Sequence, residues 1–439
     1  MEGFFTKGSH MTTDWQALRI EGIYRQPHEG FAMQRIKLPA GLLSAEQAHG
    51  VAAIAGEFAR SELHLTTRGS IEFHWVSTEN LGKVKSRLAA LGLTSRGACG
   101  GAVRGVTCAG RGGVGFPLME TVARRLQQQF TGNPRFERLP KKFKIGIFTQ
   151  ECDRSHLIQD VGLVAKPGDQ GSSNYDVWIG GGLGREPQAG FLLEERVTQG
   201  RLIPLIEAVL QVYGAHAAAG KRLKHVVREL GEERLRELIM AEPSATEELS
   251  PPAGLPDSFL PGDPAPALEA PLFAGELSAD TLARLAEFSR IHGGGWMVVT
   301  PDQNITFRIP GDVEAASQEL LRLGFGGMEK EEQVSFRICP GSHECRMGLT
   351  PTRDVARQVI AAMGTVAGAL RWAISGCLNS CAQPQLADQG IAVSGLVKGD
   401  DGSRSPRFDL YRLPSEGLGL PAARNLTLEE LLAQVRELG

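Results

Sequence analysis

Ala40-Gly41-Leu42-Leu43-Ser44-Ala45 and Ala274-Gly275-Glu276-Leu277-Ser278-Ala279 are two readings of one phrase, 234 residues apart. Each opens an alanine-rich stretch whose apolar residues recur at helical spacing. At the same offset Ser70-Ile71-Glu72-Phe73 returns as Asn304-Ile305-Thr306-Phe307, an alternating strand pattern in both copies. Leu91-Gly92-Leu93 then matches Leu323-Gly324-Phe325 at the end of a second helix, so each unit reads strand, helix, strand, helix, a small α+β half-domain. The repeat continues, with Asp160-Val161-Gly162-Leu163-Val164 echoed by Asp388-Gln389-Gly390-Ile391-Ala392. One match between alanine-rich helices is within reach of chance, whereas an ordered succession predicts duplication. A cleft between two copies is a natural cofactor site.

The first ten residues, before Met11, resemble an expression-tag remnant and are set aside as 1–10. The remainder of the 439 residues is long enough for several domains and a substantial core. A composition of 42 % hydrophobic and 22 % charged residues is that of an ordinary globular protein, and no apolar run approaches the length of a membrane span. A net charge of −3 argues against a nucleic-acid binder, so any anion specificity has to be local. Between the copies, 241–271 carries eight prolines and few periodic apolar residues, which predicts an irregular linker.

The copies differ where chemistry is expected. In the second, Arg337-Ile338-Cys339-Pro340-Gly341-Ser342-His343-Glu344-Cys345 is followed, one helix later, by Ile374-Ser375-Gly376-Cys377-Leu378-Asn379-Ser380-Cys381. Two close thiol pairs on neighbouring loops can surround one compact inorganic object. A five-residue gap in the first pair fits structural zinc poorly and ordinary ferredoxin spacing is absent, so an iron–sulfur cluster is the expectation, with zinc or unrelated core thiols as alternatives. Thr350 is expected to cap a helix with Pro351 in its first turn, just past Cys345. Seven cysteines, an odd number grouped like ligands, point to a reducing cytoplasm and away from a disulfide framework. Cys99, Cys108 and Cys152 are read as structural thiols.

The first copy has cations in the corresponding neighbourhood. Arg68 sits at the mouth of a strand in Thr66-Thr67-Arg68-Gly69-Ser70, where the second copy has Thr300-Pro301-Asp302-Gln303-Asn304 and no arginine. Arg104 lies within the glycine-rich Gly100-Gly101-Ala102-Val103-Arg104-Gly105, which lets backbone approach a flat ligand. In Leu139-Pro140-Lys141-Lys142-Phe143-Lys144-Ile145, the alternation of a strand puts Lys142 and Lys144 on one face and Phe143 on the other. Two ammonium groups so placed repel each other and are costly to desolvate, a cost that a bound anion offsets. A solvated edge strand is the plainer alternative. Finally, Gly180-Gly181-Gly182-Leu183-Gly184-Arg185-Glu186-Pro187 follows a strand, but it does not match the dinucleotide pattern G-x-G-x-x-G opening a long helix.

Taken together, C-x5-C followed by C-x3-C within S-G-C-L-N-S-C resembles the signature of the sirohaem-containing sulfite and nitrite reductases, and the resemblance runs from about Arg19 to Val397. Ser375 stands where that family usually has Thr, and Leu378 where it often has Pro. The resemblance implies that Cys339, Cys345, Cys377 and Cys381 hold a [4Fe–4S] cluster, with Cys381 bridging to the sirohaem iron beside Asn379. It implies that Arg68, Arg104, Lys142 and Lys144 surround the substrate anion, and that Gly180, Gly181, Gly182, Gly184 and Arg185 serve the sirohaem carboxylates. The family commonly has this cation set for sulfite, whereas plant-type nitrite reductases tend to have Asn at the position of Lys144.

The expected architecture is α+β and internally duplicated. Ferredoxin-like half-domains at 19–95 and 272–330 are each followed by an α/β lobe, the sirohaem lobe with the substrate cations at 96–240 and the iron–sulfur lobe at 331–439. The expected activity is six-electron reduction of sulfite to sulfide. Nitrite reduction to ammonia, precorrin-3B synthase-like chemistry and a non-catalytic cofactor-holding subunit are the alternatives. No flavin or nicotinamide domain is evident, so electrons are expected from a separate ferredoxin or flavoprotein.

Overall fold

The repeated phrase builds the same local structure twice. Ala40 (φ 54°) and Ala274 (φ 57°) are both left-handed, and so are the glycines after them, Gly41 at φ 76° and Gly275 at φ 68°. Ser44 then accepts from Gln47 N and Ser278 from Thr281 N, capping helices Ala45–Phe58 and Ala279–His292. The structure, a computed structural model, describes residues 14–109, 115–149, 154–167, 173–249, 258–262, 265–326 and 333–438. The tag-like 1–10 and Cys152 lie outside these.

In chain order the first half-domain supplies β1 (Ile23–Arg25), β2 (Phe31–Arg35), β3 (Leu42–Ser44), β4 (Glu62–Leu65) and β5 (Ile71–Ser77). The first lobe supplies β6 (Thr107–Cys108), β7 (Ile145–Phe148), β8 (Val161–Pro167), β9 (Ser173–Ile179) and β10 (Phe191–Thr198). The second copy repeats the plan with β11 (Ala267–Ala270), β12 (Glu276–Ser278), β13 (Trp296–Val299) and β14 (Ile305–Arg308), then β15 (Phe336–Ile338), β16 (Trp372–Ser375), β17 (Gln389–Lys398), β18 (Arg404–Arg412) and β19 (Leu420–Leu426). Two features differ from the sequence reading. Each half-domain has a strand hairpin between its helices, not a single strand, and β11 occupies the end of the stretch expected to be linker, because Ala267–Ala270 pairs antiparallel with β14.

The half-domains exchange strands. The first sheet runs β1-β2-β5-β4-β12 and the second β11-β14-β13-β3, so each borrows the short strand that precedes the other's capped helix. The exchange requires close backbone approach. A Cβ on Gly41 would lie 2.0 Å from the Val299 carbonyl oxygen, and one on Gly275 2.6 Å from that of Leu65. Leu43, Val51, Leu65 and Phe73 thus share one core with Leu282, Met297, Ile305 and Phe307.

The lobes are also built to one plan, β10-β9-β8-β7-β6 and β15-β16-β17-β18-β19, with β6, β7 and β8 parallel like β15, β16 and β17. An aspartate begins each: Asp160 accepts the amide of Lys144 at 2.8 Å and Asp388 that of Arg371 at 2.9 Å, each just before the strand that enters the lobe centre.

Strand β5 is buried on both faces: Ile71, Glu72, Phe73 and His74 are each at most 7 % exposed. Glu72 takes Arg35 on Oε1, while Oε2 lies 3.3 Å from His64 Nδ1 and 3.3 Å from His74 Nε2. The three side chains cluster as metal ligands would, but their other ring nitrogens are spoken for. Gln26, whose Oε1 accepts Trp75 N, turns its Nε2 to His74 Nδ1, and Gln303 turns its Nε2 to His64 Nε2. Both imidazoles are thereby set to turn an N–H toward Glu72, with His64 hydrogen-bonded to it and His74 Nε2 at ion-pair distance. Burial alone would raise the Glu72 pKa; Arg35 and the two imidazoles outweigh it and hold the carboxyl well below its ordinary value.

Two outcomes follow from this architecture. Gly41→Ala combines a clash with a disfavoured φ and is expected to destabilise by about 3 kcal/mol or more, against about 1 kcal/mol for Gly92→Ala, which has the same handedness (φ 69°) and nothing within 4 Å of an added Cβ; thermal melts of the two variants compare them. Because the folded Glu72 pKa is depressed, its stabilisation is complete above the unfolded carboxylate value of about 4.3 and disappears as pH falls through the folded value. The stability gap between wild type and Glu72→Gln, measured by denaturant titration, should therefore be widest near pH 7 and shrink on acidification below about pH 4.

Candidate active site

Cys339 follows β15, Cys345 lies in the next turn, and Cys377 and Cys381 follow the adjacent β16. Three glycines let these loops touch. A Cβ on Gly348 would meet the Gly341 carbonyl carbon at 2.2 Å, and one on Gly376 would meet Gly341 Cα at 3.0 Å. Leu349 N donates to Gly376 O at 2.8 Å, Cys345 N to Gly341 O at 3.0 Å, and Gly376 N to Cys339 Sγ at 3.1 Å. The helix beyond begins at Thr352 with Pro351 as its cap residue, one position later than expected: the Thr350 carbonyl is engaged by Ser342 N, and Thr352 Oγ1 donates to Cys339 O.

The four thiols form one group. Burial raises the pKa of Cys339, Cys345 and Cys377, and in each case the charge of Cys381 raises it further. Cys345 and Cys381 are exposed and the other two half-buried. Four convergent thiols, backbone N–H groups aimed at sulfur and a glycine-lined approach suit a [4Fe–4S] cluster. Asn379 donates to Cys377 from both backbone and side chain, and so holds a thiol. Cys99 and Cys108 are buried away from this group, the latter donating to Met119 O.

The cations converge on the same place. Phe143 is fully buried, bridges in parallel to Val103 and packs 5.7 Å from the Tyr213 ring, which leaves Lys142 and Lys144 half-buried on the other side, as the alternation predicts. Burial pulls Lys142 down to about 8, with Cys381 opposing and Arg222 and Arg104 assisting. Burial, then Arg68 and Lys142, take Lys144 well below its ordinary value. Arg68 donates to Gln159 Oε1, Gly105 O and Ile145 O. Arg104 is tied to the carbonyls of Gly97 and Gly100, and its own amide donates to Phe143 O. Cys381 is the hinge of the arrangement, felt by the other thiols on one side and by both lysines on the other. Thr67 Oγ1 donates to Cys381 O at 2.7 Å and Gln383 Nε2 to Thr67 O at 3.0 Å, which fastens the Arg68 turn to the cysteine loop across the two copies.

Several polar residues of the site escaped the sequence reading. Asp160 carries Arg222 at 2.7 Å as well as the Lys144 amide, and Gln159 orients Arg68. Lys224 donates to Leu183 O and Glu186 O, and the buried Lys37, drawn down to about 7 by burial and Arg104, donates to Val103 O. Asp160 was visible as a repeat marker; no spacing signalled Lys37, Arg222 or Lys224. The Gly180–Gly184 loop packs on these cations. A Cβ on Gly182 would meet Arg222 Nη1 at 2.4 Å and one on Gly181 the Leu157 carbonyl oxygen at 2.1 Å, so the chain's own packing already demands glycine there. Arg185 beyond it is exposed, and its charge reaches Cys377.

Two family models match the chain. The nitrite and sulphite reductase 4Fe-4S domain matches residues 108–247, and the nitrite/sulfite reductase ferredoxin-like half domain matches 24–91 and 264–323. The four cysteines lie beyond the first match, in the lobe that repeats it. The chain is 26 % identical over 407 residues to sulfite reductase [ferredoxin] 2 of Mycolicibacterium paratuberculosis, covering 85 % of this chain and 72 % of that one. It is also 26 % identical over 456 residues to a ferredoxin–nitrite reductase of Synechococcus elongatus, covering 96 % and 88 %. The solved NirA protein of Mycobacterium tuberculosis shares the fold with a TM-score of 0.81 at 23 % identity, over 97 % of this chain and 86 % of that one. With the duplicated half-domains and the thiol group in place, the chain belongs to the nitrite and sulfite reductase family of oxidoreductases, whose cofactors are a sirohaem and a [4Fe–4S] cluster.

Proposed function

We propose that this chain reduces sulfite to sulfide, taking single electrons from a separate ferredoxin or flavoprotein in the cytoplasm. The observation that carries the reading is the position of Cys381, whose charge is felt by three other thiols and by both Lys142 and Lys144, and whose carbonyl is held by the turn that carries Arg68. In this reading Cys339, Cys345, Cys377 and Cys381 hold the cluster. Gly180, Gly181, Gly182, Gly184, Arg185 and Asn379 line the neighbouring macrocycle, with Arg222 and Lys224 beneath the glycine loop. The bound sirohaem and cluster supply electron storage and an iron to which sulfur binds; the protein supplies position, charge and protons.

Sulfite reduction takes sulfur from +4 to −2, so six electrons and seven protons convert the dianion to hydrosulfide and three waters. Arg68 and Arg104 fit the oxyanion with planar forks of donors, held in place by their carbonyl and Gln159 contacts. Lys142 and Lys144 compensate the remaining charge. A lysine drawn down to about 8 gives up its proton readily near neutral pH, which suits Lys142 to protonate a departing oxygen. Keeping Arg104 buried and Arg68, Lys142 and Lys144 half-buried is costly without an anionic ligand, which supports turnover over a merely cofactor-holding role. Nitrite is the second reading, favoured by the equal identity to a ferredoxin–nitrite reductase. No helix among the described residues is long and apolar enough to cross a membrane.

The purified chain should show an isobacteriochlorin Soret and red band and about five irons per chain, one of them in the macrocycle; a colourless protein would refute the reading. Cys345→Ser is expected to lose most of the cluster iron. Lys144→Asn should lower kcat/KM for sulfite at least about tenfold, about 1.4 kcal/mol, and lower that for nitrite less, in assays with reduced viologen. Equal wild-type turnover of both anions would remove the preference for sulfite.

A further inference from the structure

The turn that carries Arg68 in the first copy has a mate whose chemistry is unassigned. Thr66 N bonds Ser70 O, Gly69 N bonds Thr66 O, and Thr66 Oγ1 accepts Ser70 N. In the second copy Thr300 N bonds Asn304 O, Gln303 N bonds Thr300 O, and Thr300 Oγ1 accepts Asn304 N. The two turns make the same three bonds at the repeat offset of 234, so Gln303 stands where the first copy has Gly69. Both are left-handed, Gly69 at φ 61° and Gln303 at φ 67°. Glycine adopts that conformation freely, whereas glutamine is strained in it and persists when its surroundings over-determine it.

Here the surroundings do. Gln303 is 1 % exposed. Its Oε1 accepts Ile338 N at 2.7 Å, and its Nε2 faces Ile338 O at 3.0 Å, Leu65 O at 2.9 Å, Ala274 O at 3.2 Å and His64 Nε2 at 3.2 Å. Exchanging oxygen and nitrogen would set an oxygen against three carbonyls, so the orientation is fixed. Ile338 ends β15, the edge strand of the iron–sulfur lobe, and the Gln303 amide fills both its outward N–H and its outward C=O, as a peptide unit of a further strand would. The next residue is Cys339. Leu65 ends β4, and three residues later is Arg68. His64 leads to Glu72 and Arg35, and Arg35 donates to Ala98 O beside the loop that holds Arg104.

We propose that Gln303 is a positioning residue that sets the distance between the anion-binding turn of the first copy and the first cysteine of the second. The role in sulfite binding rests on the function proposed above; the clamp itself rests on geometry. With its loss, Ile338 regains a free strand edge and Leu65 loses its partner, so the Arg68 turn and the Cys339 loop loosen together.

The test compares the cofactor-loaded wild type with Gln303→Gly and Gln303→Glu. Glycine keeps the left-handed turn unstrained, as Gly69 does, and removes only the amide. Hydrogen exchange of segments 62–70 and 334–345 is expected to accelerate in both by about tenfold or more, the factor that 1.4 kcal/mol represents. In the same samples the g values of the reduced cluster should move and the Kd for sulfite, read from the visible spectrum, should rise about fivefold or more. Acceleration in neither segment or in only one overturns the clamp, and acceleration in both with wild-type g values and sulfite Kd overturns the positioning role.

Should Gln303→Gly fail to accumulate, Gln303→Glu decides. A buried carboxyl facing carbonyls regains a donor only when protonated, so protection of 334–345 should recover as pH is lowered, and pH-independent protection equal to wild type overturns the clamp. A wild type without sirohaem absorption or sulfite turnover would defeat the proposed function, and the exchange data would still judge the clamp.

Discussion

The structure depends on two places where one copy's backbone presses against the other's with no side chain between them. At Gly41 and Gly275 the chain passes under the ends of β13 and β4, close enough that a single methyl group would strike a carbonyl oxygen. This contact permits each half-domain to lend its short strand to the other's sheet. Once β3 and β12 have crossed over, the relative placement of the copies is no longer adjustable. Everything at the site inherits that rigidity, because the Arg68 turn hangs from one sheet and the cysteine loops abut the other.

The two copies then diverge on a common frame. Aspartates at the head of each lobe hold equivalent amides, but the residue so held is Lys144 in one lobe and Arg371 in the other. Equivalent turns carry Arg68 beside glycine in one half-domain and a buried glutamine in the other. One copy collects cations and the other thiols, and the frame brings the two sets together at Cys381. The charges are costly where Arg104 is buried and the other three half-buried, and the hydrogen bonds of Gln159, Asp160 and backbone carbonyls fix their directions in advance. Such preorganisation is what an oxyanion site requires.

Much of this was legible in the chain. The Ala-Gly-x-Leu-Ser-Ala repeat announced the duplication, since the same cap and the same left-handed entry need the same residues, whereas the lysine alternation around Phe143 lies ahead of its strand, which begins at Ile145, with Phe143 making only an isolated bridge. The cysteine spacing pointed to one shared cage because two pairs on adjacent loops have few other uses. What stayed hidden is what depends on long-range pairing. Strand exchange leaves no local trace, for β3 and β12 read alike whichever sheet they join. The alternating pattern of Ser70-Ile71-Glu72-Phe73 gave no sign of the burial of Glu72, because its partners Arg35 and His64 and their supports Gln26 and Gln303 come from other segments. Arg222 and Lys224 lie on an unremarkable helix start and acquire meaning only beneath the glycine loop.

The reciprocal exchange has a consequence for the making of the protein. During synthesis the first half-domain emerges with the β4 edge of its sheet unoccupied, and its proper occupant, β12, is not translated until the linker and the whole first lobe have been made. For that interval an open edge and the core face meant for the other copy are exposed to any neighbouring chain. Closure is therefore a late event spanning more than 200 residues of intervening chain, and ribosome-bound fragments ending before Ser278 are the species with most need of a chaperone.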